Sequence, residues 1–289
     1  MNSVAASVLM GLLVLPAHAQ EPSAKGVNFY SLEREFQIGQ EAAATLARTL
    51  PIVHEPKIDA YLAKLTAELA KYASSPFDCS FTVYEDRKPL GLQWVALRNA
   101  RAVAMPADAF QWRAAEPVAL VGGPILVPLS LLADAPDEAA FAFQLAHAMA
   151  HVALRHATRQ ATRQEILDIG TVALQVQKVS SPAAAAILST QPLAMQLGML
   201  TLARAFEREA DTVAAGIVAE AGYDPATVVA WLEGQPPAGA RPSRVFSAHP
   251  TMDRRVETVR AKMEKLPSRV YAAETGEFDE VKALAASVR

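Results

Sequence analysis

The chain reads Leu145-Ala-His147-Ala148-Met-Ala-His151-Val-Ala-Leu-Arg-His156 near its centre, and this stretch guides the interpretation of the whole sequence. Alanine favours a helix and Asp137 suits an N-cap, so we predict a helix from residue 138 to about residue 156. His147 and His151 are four residues apart and therefore lie one turn apart on the same helix face. Their imidazoles can converge on one metal ion, although the pair alone fits ordinary packing equally well.

A third ligand has to come from elsewhere in the chain, because a zinc site with an open coordination position uses about three protein ligands. The best candidate is Glu207, in the stretch Phe206-Glu207-Arg-Glu209-Ala-Asp211 of a predicted helix over residues 194–221. Glu207 and Asp211 are four residues apart and share a face. One of them can bind the metal while the other accepts a hydrogen bond from the far nitrogen of a ligand histidine. Glu209 is predicted to face away, toward solvent.

Composition and charge limit the class of protein. Of the 289 residues, 52% are hydrophobic, which suffices for one sizeable core, and the formal net charge is −3. A chain so close to neutral, without a basic patch, argues against a nucleic-acid partner. Abundant alanine and few aromatic residues favour a mostly helical protein.

The first residues have the pattern of a secretory signal. Residues 4–15 are apolar, and Ala17-His18-Ala19 is a small-x-small cleavage site. The apolar run is shorter than the roughly 20 residues that span a bilayer. We predict a signal peptide at residues 1–19 and a single mature domain at residues 20–289; the alternative is an apolar N-terminal helix of the mature fold. The single cysteine, Cys79, cannot form an intramolecular disulfide, and an exported protein without disulfides fits a bacterial periplasm.

The remaining elements are helices and a few strands. Apolar periodicity and N-caps at Ser31 and Asp224 predict helices over residues 32–50, 159–178, 225–232, 253–265 and 278–286. A further helix is predicted to start near Pro56, with an apolar stripe from Ile58 to Leu69. Alternation of apolar residues predicts strands at residues 79–84, 118–120 and 125–127, the last two around the turn Gly122-Gly123. Residues 86–116 give no clear pattern. The fold class is therefore α+β, mostly helical, with a small sheet beside the histidine helix.

In combination these motifs resemble the HtpX/BepA-like family of gluzincin zinc metallopeptidases, relatives of the CAAX prenyl proteases. The order His147-x-x-x-His151, Glu207-x-x-Ala-Asp211 and Ser247-Ala-His249-Pro250 is similar to theirs. The N-terminal Phe29-Tyr-Ser-Leu-Glu-Arg-Glu35 and the stretch Gly122-Gly123-Pro-Ile-Leu-Val127 resemble the family too. The resemblance covers residues 29–265.

The resemblance implies a zincin-like metallopeptidase domain with Zn²⁺ as its cofactor. It implies that His147, His151 and Glu207 bind the zinc, that Asp211 supports a ligand histidine, and that His249 can approach the zinc. The family also often carries an arginine after that last histidine, which would be Arg254 or Arg255 here.

The resemblance further implies a periplasmic endopeptidase of protein quality control that acts on misfolded or envelope proteins. It leaves peripheral association with a membrane open. A substrate strand is expected to pair along residues 125–127, beside the metal helix.

Ala148 departs from the family's pattern. The family has a glutamate there, which accepts a proton from the attacking water. Alanine has no proton acceptor, and losing a positioned base costs roughly 100- to 10,000-fold in rate. We therefore expect a strongly impaired zinc endopeptidase, whether Ala148 is natural or was introduced.

Two other interpretations stay open. The chain can be a catalytically inactive zinc-binding pseudo-protease that acts as a chaperone or binding module. It can also be a metal-free helical protein with incidental histidines. His156, beyond the histidine pair, is predicted to be a surface residue.

Overall fold

The computed structural model describes residues 26–86, 94–98, 101–105, 116–176, 182–235, 251–267, 270–271 and 276–289. Within these ranges the chain forms nine helices and five strands, which confirms the predicted α+β class. The helices are α1 (Leu32–Ala47), α2 (Pro56–Ala70), α3 (Leu129–Asp134), α4 (Glu138–Ala153), α5 (His156–Val176), α6 (Pro182–Glu220), α7 (Pro225–Gly234), α8 (Met252–Met263) and α9 (Gly276–Val288). The strands are β1 (Ser80–Tyr84), β2 (Trp94–Arg98), β3 (Arg101–Met105), β4 (Val118–Ala119) and β5 (Pro124–Pro128).

Helix α4, which carries the two histidines, is buried over most of its length. Phe141, Phe143 and Leu145 have no exposed surface, and burying each such side chain stabilises the fold by about 1.5–3 kcal/mol. The helix packs against α2, α5, α6, α7 and β4. Small side chains let α4 and α6 approach closely; the buried alanines include Ala142, Ala146 and Ala150 on α4 and Ala210, Ala214 and Ala215 on α6.

A three-stranded sheet lies beside α4 in the order β1-β5-β4. Strand β5 runs parallel to β1, with Phe81 opposite Ile125, and antiparallel to β4, with Val118 opposite Leu126. Because β5 has a neighbour on each side, the prediction that a substrate pairs along residues 125–127 is wrong. Strands β2 and β3 pair with each other as an antiparallel hairpin.

Two glycines let α1 lie directly on the turn between β4 and β5. A Cβ atom on Gly39 would come within 1.7 Å of the carbonyl oxygen of Val121. Gly122 has a φ of 73°, and a Cβ there would lie 2.4 Å from the carbonyl oxygen of Glu35. Only glycine permits this backbone-to-backbone contact, which joins the N-terminal helix to the sheet.

Several predicted helix starts are confirmed by their caps. The side chain of Ser31 accepts a hydrogen bond from Arg34 N at 3.1 Å, and Asp137 accepts one from Ala140 N at 2.7 Å. Asp224 caps α7 in the same way. Each side chain satisfies one backbone donor that the first helical turn leaves unpaired.

Several elements differ from the predictions. Helix α4 ends at Ala153 rather than near residue 156, because Arg155 has a φ of 58° and breaks the helix before α5 begins. Helix α6 begins at Pro182 rather than near residue 194, since the intervening alanine run continues the helix. The short helix α3 was not predicted. No described helix combines the length and the hydrophobicity that a bilayer-spanning segment needs.

A buried ion pair fixes the junction between α4 and α5. Arg155 donates from Nε to Oε1 of Glu35 at 2.7 Å and from Nη2 to the carbonyl oxygen of Tyr30 at 2.5 Å. The Glu35 side chain is 2% exposed, and it also accepts a hydrogen bond from Thr158 Oγ1 at 2.7 Å. These contacts connect the start of α1 to the end of α4.

We expect Arg155→Met to lower the free energy of unfolding by about 3 kcal/mol, because it leaves the Glu35 carboxylate buried without its guanidinium. The measurement is chemical denaturation of the two proteins under identical conditions. The matched control is Arg260→Met, which removes an exposed pair with Glu233 and should cost less than about 1 kcal/mol. Equal losses in the two variants would contradict the argument.

Candidate metal centre

Helices α4 and α6 bring three side chains with metal-binding atoms to one point. The Nε2 atoms of His147 and His151 lie 3.0 Å apart. The two carboxylate oxygens of Glu207 lie 3.5 Å from Nε2 of His147 and 3.4 Å from Nε2 of His151. These three residues form a group that could hold a metal ion, and they are the ones that the sequence predicted as ligands.

The donor set fits a zinc ion. Zinc binds histidine nitrogen and carboxylate oxygen at about 2.0–2.2 Å, so two atoms in a tetrahedral arrangement lie about 3.3 Å apart. The three observed separations of 3.0, 3.4 and 3.5 Å lie close to that value. The side chains of His147, His151 and Glu207 remain 16%, 21% and 14% exposed, so the cluster borders solvent on one side. A three-ligand site with one open side is typical of catalytic rather than structural zinc.

His147 is held by a buried carboxylate on the side away from the cluster. Its Nδ1 lies 2.9 Å from Oδ1 of Asp211, whose side chain has no exposed surface. Arg255 on α8 donates to both oxygens of Asp211, from Nη2 at 2.7 Å and from Nε at 3.0 Å. A carboxylate beside Nδ1 favours the tautomer that presents the Nε2 lone pair to the cluster. Of the two candidate arginines the structure selects Arg255, since Arg254 is exposed.

His151 contacts another histidine through Nδ1, on the side of its ring that faces away from the cluster. Nδ1 of His156 lies 3.0 Å from Nδ1 of His151, and Nε2 of His156 lies 3.5 Å from Oε2 of Glu209. The prediction that His156 is a surface residue is wrong, because it is only 3% exposed and stacks on Phe206. Glu209 is also less solvated than predicted, with 25% of its side chain exposed. The spacing of His156 from His151, five residues across a helix break, gave no signal of this contact.

The electrostatic environment of the cluster favours a positive charge. Burial lowers the pKa of His151 to about 3, so this imidazole is neutral at pH 7. Burial also lowers the pKa of His147, but the carboxylates of Asp211 and Glu207 outweigh burial and raise it to about 9. Asp211 and Glu207 both lie beside His147, so their negative charge favours a proton on this imidazole when no metal is bound. A divalent cation would displace that proton.

Ala148 follows His147 on α4, at the position where the resemblance predicts a general base. Ala148 is 2% exposed and belongs to the hydrophobic core around α4. The methyl group can neither accept nor donate a proton. The structure therefore combines a complete set of candidate ligands with an apolar side chain at the position where the resemblance leads one to expect a carboxylate.

The sequence analysis also singled out His249 and Cys79. His249 and its neighbours in residues 236–250 lie outside the described residues, so its approach to the zinc stays a prediction. Cys79 packs against the main core, and burial raises the pKa of its thiol to about 11. The thiol is therefore protonated at neutral pH, which agrees with a packing role.

Comparison with known proteins identifies one family. The sequence model described as Peptidase family M48 matches residues 90–263. This range contains α4, α6 and α8, and with them the three candidate ligands and both supporting residues of His147. No curated protein matches the chain.

We expect the purified chain to bind about one zinc ion and Glu207→Ala to lose it, because two imidazoles alone make an incomplete site. The measurement is elemental analysis after dialysis, together with zinc affinity in competition with a chromophoric chelator. Glu233→Ala removes an exposed carboxylate on α7 and should leave the zinc content unchanged. Zinc retained in full by Glu207→Ala would exclude Glu207 as a ligand.

Proposed function

Since the chain belongs to Peptidase family M48, we propose that it is a zinc metalloendopeptidase of the HtpX/BepA-like type. We further propose that Ala148 strongly reduces its rate of peptide hydrolysis. The observation that carries the proposal is the cluster of His147, His151 and Glu207, with ligand atoms 3.0–3.5 Å apart. Chance packing does not often place two neighbouring imidazoles and a carboxylate from a second helix at these separations. We therefore prefer a metal site to the metal-free interpretation.

The residues of the cluster would hold the ion, and their neighbours would orient them. Zinc bound there would act as a Lewis acid that polarises the carbonyl group of a peptide bond. His147 and His151 would each present Nε2, and Glu207 would supply the oxygen ligand. The Asp211–Arg255 pair keeps His147 oriented and limits the charge that the site has to bury.

Ala148 affects proton transfer rather than metal binding. A glutamate one residue after His147 would accept a proton from the attacking water and pass it to the leaving nitrogen. With a methyl group in its place we expect hydrolysis to fall by roughly 100- to 10,000-fold. Zinc affinity should change little, since Ala148 is not among the clustered donors.

A second function is favoured by the same residue. A chain that keeps its ligands and lacks its base can bind extended protein segments without cleaving them. It would then serve as a zinc-stabilised binding module or chaperone for unfolded envelope proteins. The fold offers an edge strand beside α4 for such binding: in the three-stranded sheet of the described residues β4 pairs with β5 alone. An extended segment can add to β4 through backbone hydrogen bonds.

The compartment is part of the proposal. We propose that residues 1–19 direct export to the periplasm, where unfolded and envelope proteins would be the substrates or clients. The apolar run and the Ala17-His18-Ala19 site support this, as does the single cysteine. Residues 1–25 lie outside the described residues.

We expect Ala148→Glu to cleave unfolded casein about 100- to 10,000-fold faster than the unaltered chain, because it restores a proton acceptor beside the cluster. The matched control is Ala148→Gln, which has the same size and polarity but a far weaker base. Equal activity of the Glu and Gln variants, both loaded with zinc, would contradict the peptidase assignment. Suppression of casein aggregation by the unaltered chain, without cleavage by any variant, would favour the binding module.

We expect expression of the full sequence in a Gram-negative host to give a periplasmic protein that begins at Gln20. The measurement is cell fractionation followed by N-terminal sequencing of the purified product. Replacing the small residue Ala19 by arginine should block processing and leave the longer chain. A cytoplasmic protein that retains residues 1–19 would contradict export.

A further inference from the structure

Three side chains lie in a row behind the cluster, joined by one contact at hydrogen-bond distance and one longer polar contact. Nδ1 of His151 lies 3.0 Å from Nδ1 of His156, and Nε2 of His156 lies 3.5 Å from Oε2 of Glu209. The three residues lie on α4, α5 and α6 respectively. Neither contact involves an atom that faces the metal position.

These three side chains have one self-consistent arrangement of protons when both imidazoles are neutral. An ionised carboxylate can only accept, so the nitrogen that faces Glu209, Nε2 of His156, carries the proton. Nδ1 of His156 is then a lone pair, and Nδ1 of His151 has to donate to it. The remaining nitrogen of His151, Nε2, is left with its lone pair directed at the cluster. This is the tautomer that a metal ligand requires.

The surrounding structure fixes the ring of His156. It stacks on Phe206 with ring centroids 4.3 Å apart and planes at 20°, and the residue is 3% exposed. Its neighbour Arg155 is locked in the left-handed conformation by Glu35. The turn between α4 and α5 therefore directs the His156 ring back toward His151 rather than out to solvent.

We propose that His156, oriented by Glu209, is a positioning residue that fixes the tautomer and ring orientation of His151 for metal binding. The arrangement parallels the one on the other ligand, where Arg255 holds Asp211 and Asp211 faces His147. A neutral histidine, His156, thus orients His151, whereas a carboxylate, Asp211, orients His147. A histidine in this place avoids a third negative charge in direct contact with the ligand histidines. The inference rests on the proposed zinc site.

Two variants separate positioning from simple packing. His156→Phe keeps an aromatic ring against Phe206 but removes the acceptor for the Nδ1 proton of His151. His156→Asn loses the ring but places an amide oxygen near the position of Nδ1, where it can accept the same proton. Packing alone would favour the Phe variant, whereas positioning favours the Asn variant.

The first measurement is zinc affinity in competition with a chelator at pH 7.5. We expect His156→Phe to bind zinc about 10- to 100-fold more weakly than the unaltered chain, as other partners of ligand histidines do when removed. His156→Asn should stay within about threefold of the unaltered chain, although its unfolding midpoint falls because the stack is lost. The second measurement is ¹⁵N NMR of the metal-free proteins. It should show His151 protonated at Nδ1 in the unaltered chain and partly at Nε2 in His156→Phe.

Each outcome bears on the inference. Unchanged affinity in His156→Phe overturns it, and so does an equal loss in the Phe and Asn variants, which would indicate packing. Should His156→Phe not fold, Glu209→Leu and Glu209→Gln make the same comparison at a more exposed position, with weaker zinc binding expected only for Leu. If the unaltered chain binds no zinc, the proposed function fails. The NMR comparison still tests the positioning of His151 in that case.

Discussion

Close packing of α4 on α6 is the constraint on which the candidate site depends. Both helices carry fully buried alanines along their contact, including Ala146 and Ala214, so their backbones approach closely. Only at such a short distance can the side chain of Glu207 reach the paired imidazoles of His147 and His151. The alanine-rich character of the sequence is therefore a requirement of the site as well as a helix-forming tendency.

Burial and charge are balanced around the cluster. Asp211 has no exposed surface, and a carboxylate in that position would be costly without Arg255 beside it. The Asp211 carboxylate can also accept a hydrogen bond from Nδ1 of His147, so the residue that pairs with Arg255 also orients a candidate ligand. On the other ligand a stacked neutral histidine, His156, occupies the corresponding place. The two histidines are thus supported by different chemistry, a carboxylate on α6 and an imidazole on α5.

In the proposed function, Ala148 would separate metal binding from proton transfer within one helical turn. The groups that hold a cation depend on distances between side chains, and these are preserved in the structure. The group that moves a proton depends on a single carboxylate, and that position carries a methyl group which packs into the core. A scaffold of this kind can keep the stability and the binding properties of a peptidase while its chemistry is suppressed.

The sequence by itself determined the local features. The caps at Ser31 and Asp137 and the four-residue spacing of His147 and His151 follow from hydrogen bonding and periodicity within a few residues. It did not predict that His156 is buried against His151, because that contact depends on a left-handed residue, Arg155, held by Glu35 from another helix. It also could not choose between two adjacent arginines or recognise β5 as an interior strand. Burial, charge pairing and strand order are set by segments that are distant along the chain, so only the tertiary structure decided them.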